Sequence, residues 1–408
     1  MDYRELDQQE YDRKLRMVIV GTEGLHPHVQ NVGDNRATIG WGYTLNRNNN
    51  VEIWRNSGIE LTDQQWATLR RVDAELTNAG KTRVGLTFTR ELDEAEADRL
   101  YRASVREYEG PAIAADMPMS DERIAMVSVT YNRGIGAMQN HPINDAIADG
   151  DRAESWYQMR YNCWGSRQDM EGGLRKRRFA ESEAFGLYDD RNNVSVEEAA
   201  NVYSMYRSNR TEIHRVEGRF GVTIDGVEAR PNRVAHANRD YPAIVDEYGP
   251  VRTLSESLEP ARTVLLEHLR TRYPEQADDF TVERFDSGLI DLNRHPVQEN
   301  PDQEREQHQP HPQHHAPFPE GYPPDHQGMN HPPPGPFNDP TLDRYYAAVI
   351  AGDSDLADRL AIEFANSQEG REMARMGDEL FAQQQMQEQR QLEERQMAQA
   401  PQGPAMMR

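Results

Sequence analysis

Apolar residues gather at Leu15, Met17, Val18, Ile19 and Val20, and the run closes on Thr22-Glu23-Gly24. That density predicts a helix, with Gly24 as its stop signal. Residues 31–36 are polar and turn-rich, and Gly33-Asp34-Asn35 accepts the positive φ angles of a hairpin. From Thr38 the pattern changes to alternation, Thr38-Ile39-Gly40-Trp41-Gly42-Tyr43-Thr44, which predicts a strand. Its two glycines let another group approach the backbone closely. Further along, Asp93-Glu94-Ala95-Glu96 opens a helix with an acidic first turn, which complements the helix dipole. Ser120 caps a helix running through Met126, Val127 and Val129 to Tyr131. Ser195-Val196-Glu197-Glu198 is a capping box for a helix through Tyr203 and Tyr206, and 258–269 is an amphipathic helix with Pro274 beyond it. Asp225-Gly226, between Val222-Thr223-Ile224 and Val227, predicts a small hairpin.

The pattern then dissolves. Residues 295–340 are dense in Pro, Gln and His and cannot bury enough apolar area to fold alone, so they read as a disordered linker. The tail, 341–408, regains an apolar side at Leu356, Leu360, Ile362 and Phe364, then runs into a Gln-rich stretch. It reads as a short helical unit. The expected organisation is a first domain over 1–190, a mainly helical accessory region over 191–294, a linker over 295–340 and a helical tail over 341–408.

Composition narrows the classes. The chain has 408 residues and a formal net charge of −23, which argues against general nucleic-acid binding. Cys163 is the sole cysteine, so no intramolecular disulfide can form, which fits folding in a reducing cytoplasm. The start is acidic and polar, the run 17–20 is too short for a signal peptide, and no stretch is long and apolar enough to span or enter a membrane. The His tract at 308–315 has no carboxylate or cysteine partner at fixed spacing, so no metal site is expected there, and no cofactor is implied.

The candidate chemistry lies near the start. Glu23 and Thr38 are fifteen positions apart (23 to 38), a carboxyl at the end of an apolar helix followed by a turn and a glycine-punctuated strand. A carboxyl beside that apolar run is expected to be partly desolvated, which raises its pKa and suits it to donate a proton near neutral pH. A cleft that cuts glycosidic bonds needs such an acid, a second polar group to place water or steady positive charge, and a wall for the sugar. Trp41, Tyr43 and Trp54 are the candidates for that wall. The run Arg175-Lys176-Arg177-Arg178 reads mainly as a solvated face, and Trp164 as packing under the C-terminal helices.

This segment resembles the active-site region of the phage-type lysozymes, the glycoside hydrolase family 24 muramidases. The blocks Tyr131-Asn132-Arg133-Gly134-Ile135-Gly136 and Gly173-Leu174-Arg175-Lys176-Arg177-Arg178-Phe179-Ala180-Glu181 extend the resemblance over about residues 10–188. It implies an α+β, mainly helical lysozyme-like domain with a small β-hairpin lobe and a helical lobe. Glu23 matches the family's general acid and Thr38 its threonine. The family's aspartate lies about nine positions after the glutamate, where this chain has Val32; either Asp34, two residues later, takes its place, which is the favoured reading, or Thr38 and the backbone alone hold the water. Asn132 and Arg133 are the implied sugar-binding residues beside Trp41 and Tyr43.

The resemblance implies a muramidase cutting the β-1,4 bond between N-acetylmuramic acid and N-acetylglucosamine in peptidoglycan, generally with inversion. The acidic chain would repel anionic wall polymers, so capture must rest on local contacts. The Gln-rich tail resembles the recognition tails of antibacterial effectors moved by type IV secretion. That reading adds a secretion coupling protein for 341–408, a cognate lipoprotein inhibitor, and action in the periplasm of a target bacterium after synthesis in the cytoplasm. Two other readings stay open: a phage endolysin or virion lysin, and a non-catalytic peptidoglycan-binding protein with a lysozyme fold.

Overall fold

The computed structural model describes residues 1–297 and Arg344. The linker beyond residue 297 and the helical tail therefore lie outside the described residues, apart from Arg344. Residues 1–297 fall in one compact unit.

Helix α1 (Gln8–Glu23) starts on Asp7, whose carboxylate accepts from Glu10 N at 2.8 Å. It buries Tyr11, Leu15, Val18 and Ile19, one helical stripe. Gly24 ends it at φ 73°, with its N–H on Val20 O at 3.3 Å. A three-stranded antiparallel sheet follows, β1 (His26–Gln30), β2 (Thr38–Gly40) and β3 (Tyr43–Thr44), in the order β1-β2-β3. Thr38 pairs with Gln30 on one side and Thr44 on the other. The strand expected over 38–44 is thus two strands. Gly40 and Gly42, at φ 61° and 80°, reverse the chain between them.

Helices α2 (Asn50–Asn56), α3 (Asp63–Ala74), α4 (Asn78–Gly85) and α5 (Glu94–Ser104) complete this lobe, with α5 packed on β2 and β3. The second lobe is built on α6 (Asp121–Arg133), buried almost end to end. Ser120 caps it by accepting from Arg123 N at 3.2 Å. Helix α7 (Glu171–Phe185) lies along α6, and α1 lies on it too.

The region after residue 190 packs onto these helices. In it, α8 (Val196–Phe220) pairs with α11 (Leu254–Arg272). Helices α9 (Arg233–Asp240) and α10 (Pro242–Tyr248) lie on α7, and α10 also touches α1. Ion pairs join the parts: Lys176 to Asp240 at 2.7 Å and Lys14 to Glu247 at 3.2 Å. A single apolar core runs from Tyr11 to Ile290. The small hairpin expected at 222–227 is present: Val222 bridges Glu228, Thr223 N donates to Val227 O at 2.9 Å, and Gly226 N closes the turn on Thr223 O at 2.9 Å. The ladder ends at Ala229 N on Gly221 O, 3.0 Å, because α8 reaches to Phe220 on one side and α9 starts at Arg233 on the other. Among the described residues, no helix is long and apolar enough to cross a membrane.

Candidate functional site

A cleft of about 450 Å³ opens between the sheet and the end of α6. Glu23, at the C-terminal end of α1, Thr38 on β2 and Gly42 in the β2–β3 turn line one part of it. Val32, Asp34 and Arg36 of the β1–β2 turn line a second part. Asn132, Arg133 and Gly134 at the end of α6, with Trp164, Gly165 and Arg167, line a third part.

Glu23 is held from two sides. The Arg177 guanidinium donates to Glu23 Oε1. On the other side the carboxylate lies against the backbone of Gly42, where an added Cβ would stand 2.7 Å from Glu23 Oε2. The Glu23 side chain is 17% exposed and that of Arg177 only 5%. Arg177 also donates through Nε to Glu181 Oε1 at 2.8 Å. Burial pulls the Arg177 pKa down, but the two carboxylates outweigh it and hold the guanidinium charged above its usual range.

Glu181 is fully buried and serves three donors: Arg177, the Ser128 hydroxyl and Arg178. Arg178 in turn donates to Asn132 Oδ1, at the cleft. One buried carboxylate therefore ties together the groups behind Glu23 and behind Asn132. The expectation that 175–178 is mainly a solvated face is overturned, because Arg175, Arg177 and Arg178 are all buried. Each has a carboxylate at helical spacing: Arg175 has Glu171, and Arg177 and Arg178 have Glu181. Lys176 pairs with Asp240 of α9.

Thr38 is 4% exposed, and its Oγ1 is buried with no hydrogen-bond partner among the described residues. A hydroxyl at a cleft without a protein partner is ready to hold water or a sugar oxygen. Asp34 sits in a turn shaped by side chains. Its Oδ1 accepts from Arg36 N at 3.0 Å, and Asn31 Oδ1 accepts from Gly33 N and Asn35 N at 2.9 and 3.1 Å. Val32, in the position where an acid was expected by spacing, lines the cleft as well. The structure thus brings Glu23, Asp34, Thr38, Asn132 and Arg133 to one cleft.

It does not bring the expected sugar-stacking aromatics there. Trp41 is 7% exposed, with its indole N–H on Asp98 of α5 at 2.9 Å, and Tyr43 is 2% exposed, with its hydroxyl on Asn50 of α2 at 2.7 Å. Trp54 is fully buried between Tyr43 and Phe88. In Trp41 and Tyr43 these hydrogen bonds turn the polar tips inward and commit the rings to the core. The half-buried ring at the cleft is Trp164 instead. It does pack on α7, through Arg175, whose Cζ lies 4.8 Å from the ring centroid. Sequence reasoning also left out Arg177 and Arg167 as site residues, and it marked Gly42 as a place of close approach without naming Glu23 as the group that uses it. Arg167 Nη2 donates to Gly33 O at 2.8 Å, joining the loop after Trp164 to the β1–β2 turn.

A glutamate at a helix end, set beside a small antiparallel sheet and backed by a helical lobe, defines a lysozyme-like domain. Residues 20–181 match the family model described as Phage lysozyme. The match spans the cleft residues from Glu23 to Leu174 and supports a glycoside hydrolase acting on peptidoglycan, of the muramidase type. No curated protein matches the chain, and no solved structure does.

Proposed function

We propose that the protein hydrolyses the β-1,4 bond between N-acetylmuramic acid and N-acetylglucosamine, with Glu23 as general acid. The observation that carries this reading is the fixed Glu23 carboxylate in one cleft with the partnerless Thr38 hydroxyl. Glu23 delivers a proton to the glycosidic oxygen as the bond to the anomeric carbon breaks. Water, placed by Thr38 Oγ1 and the Asp34 carboxylate, adds to that carbon, and its proton leaves to Asp34. When Glu23 is protonated, Arg177 retains Glu181 as a partner, so the buried guanidinium stays compensated. Asn132 and Arg133 hold the sugar's polar groups.

The test is turbidity loss of purified cell walls with the full chain and its Glu23→Gln variant, followed by analysis of the released ends. Wild type clears the walls and leaves reducing muramic-acid ends, and Glu23→Gln does not clear them. Equal clearing by both overturns the mechanism, and anhydro-muramic ends make the protein a lytic transglycosylase.

The biological setting belongs to the same proposal. The Gln-rich character of 341–408 supports an antibacterial effector exported by a type IV secretion system, acting in the periplasm of a target cell. Its partners are a coupling protein that reads 341–408 and a lipoprotein inhibitor in the producing cell. Deleting 341–408 abolishes export and leaves wall hydrolysis intact. Loss of hydrolysis instead makes the tail part of the enzyme.

A further inference from the structure

Helix α8 begins beyond the segment that matches the family model, yet its last turn reaches the cleft wall. Glu217 Oε1 accepts from Arg160 Nε and Nη2 at 3.2 and 3.1 Å and from the Tyr161 hydroxyl at 2.8 Å. Both members of the Arg160–Glu217 pair have 0% exposed side chains. Arg160 and Tyr161 lie in a π-helical turn, Gln158–Asn162, that leads directly to Cys163, Trp164 and Gly165. Such turns are uncommon and often sit at functional sites.

Phe220 acts on the same wall from the end of α8. The Arg175 guanidinium faces two rings: Trp164 at 4.8 Å and Phe220 at 5.8 Å from Cζ. Arg175 also donates to the Tyr161 carbonyl and to Glu171 Oε1. The carboxylate of Glu171 receives Arg219 of α8 at 3.6 Å as well. Trp164 therefore has its backbone approach set by Glu217 and its ring set, through Arg175, by Phe220.

We infer that the last turn of α8 is a positioning element of the cleft, with Glu217 and Phe220 as positioning residues that orient Trp164 for the glycan strand. This rests on the reading that the cleft binds glycan. The acid is held separately, by Arg177 and Glu181 on α7 and by Gly42, so these residues govern substrate capture and leave the chemical step alone.

The experiment uses the full chain and soluble uncrosslinked glycan strands from purified walls. Phe220→Ala raises the half-saturating strand concentration about fivefold, the size of one lost cation–π contact, with kcat unchanged. Phe220→Tyr restores it. In a Trp164→Ala background, Phe220→Ala adds nothing. Leu258→Ala, a core truncation in α11, lowers thermal stability without moving half-saturation. Acrylamide quenching of Trp164, taken as the difference between a chain and its Trp164→Phe counterpart, rises in Phe220→Ala with no substrate present. Unchanged half-saturation and unchanged quenching in Phe220→Ala overturn the inference. So does an equal rise in Leu258→Ala, or a full effect in the Trp164→Ala background. If wild type neither binds nor cuts strands, the muramidase reading falls, and quenching still decides whether α8 sets Trp164.

Discussion

Glu23 and Arg177, 154 residues apart in the chain, form an ion pair whose arginine is also bound to the fully buried Glu181. The two carboxylates are not equivalent. Glu23 is partly exposed, whereas Glu181 has no access to water. Arg177→Gln leaves Glu181 short of a cation in the core, and breaking a buried pair costs about 3–5 kcal/mol. Urea unfolding at pH 7 should show that loss, together with a large fall in wall hydrolysis. Glu23→Gln keeps an acceptor for Arg177 and leaves the Arg177–Glu181 pair whole, so it loses activity for about 1 kcal/mol of stability. Equal stability of wild type and Arg177→Gln would remove this account of the pair.

Gly42 tests the seat of the acid. Its φ of 80° and the 2.7 Å approach of a Cβ to Glu23 Oε2 act together. Gly42→Ala therefore strains the backbone by about 1–3 kcal/mol and pushes the carboxylate from its place. Activity falls further than stability alone explains, measured as residual hydrolysis at a temperature where the variant remains folded. Gly24→Ala, also at positive φ but with open space around its Cβ, should lose stability and keep more activity.

Thr38→Val separates catalysis from folding in the opposite sense. The hydroxyl is buried without a partner, so replacing it with a methyl relieves desolvation and leaves stability equal or higher by about 1 kcal/mol. Wall hydrolysis should drop because the water loses its donor and acceptor. A Thr38→Val enzyme with wild-type rates would exclude the hydroxyl from the reaction.

The parts legible in the sequence were those set by local rules. Gly24 ends α1, Ser120 caps α6, and the polar turn before Thr38 carries Asp34 to the cleft. The aromatics were not legible, because whether Trp41 or Tyr43 faces a sugar depends on Asp98 and Asn50 arriving from other helices. The arginines of α7 show the same limit. A basic run normally faces water, and only packing by α6, α8 and α9 on several sides buries it. The carboxylates at positions 171 and 181 were the readable sign, spaced for intrahelical pairing with Arg175, Arg177 and Arg178.

Cys163 offers a probe of opening near the cleft. Burial pushes its thiol up to about 12 from an ordinary 9.0, and its Sγ lies 3.8 Å from His141 Nε2. The neutral thiol is the form the fold favours. Its stabilising contribution is complete below pH 9 and is lost as pH rises through 12. At pH 8 the native protein should resist iodoacetamide while the urea-unfolded chain reacts fully, read by mass. Rapid labelling of the native protein would show that this wall opens readily.

The unbroken core from Tyr11 to Ile290 limits how this protein can be dismantled. A chimera cut at the edge of the family match would strand Arg160 in the interior without Glu217 and strip Lys176 of Asp240. It would also bare the faces of α1 and α7 that α10 covers. A transplantable domain from this chain must carry residues to at least 290, although the family match ends at residue 181.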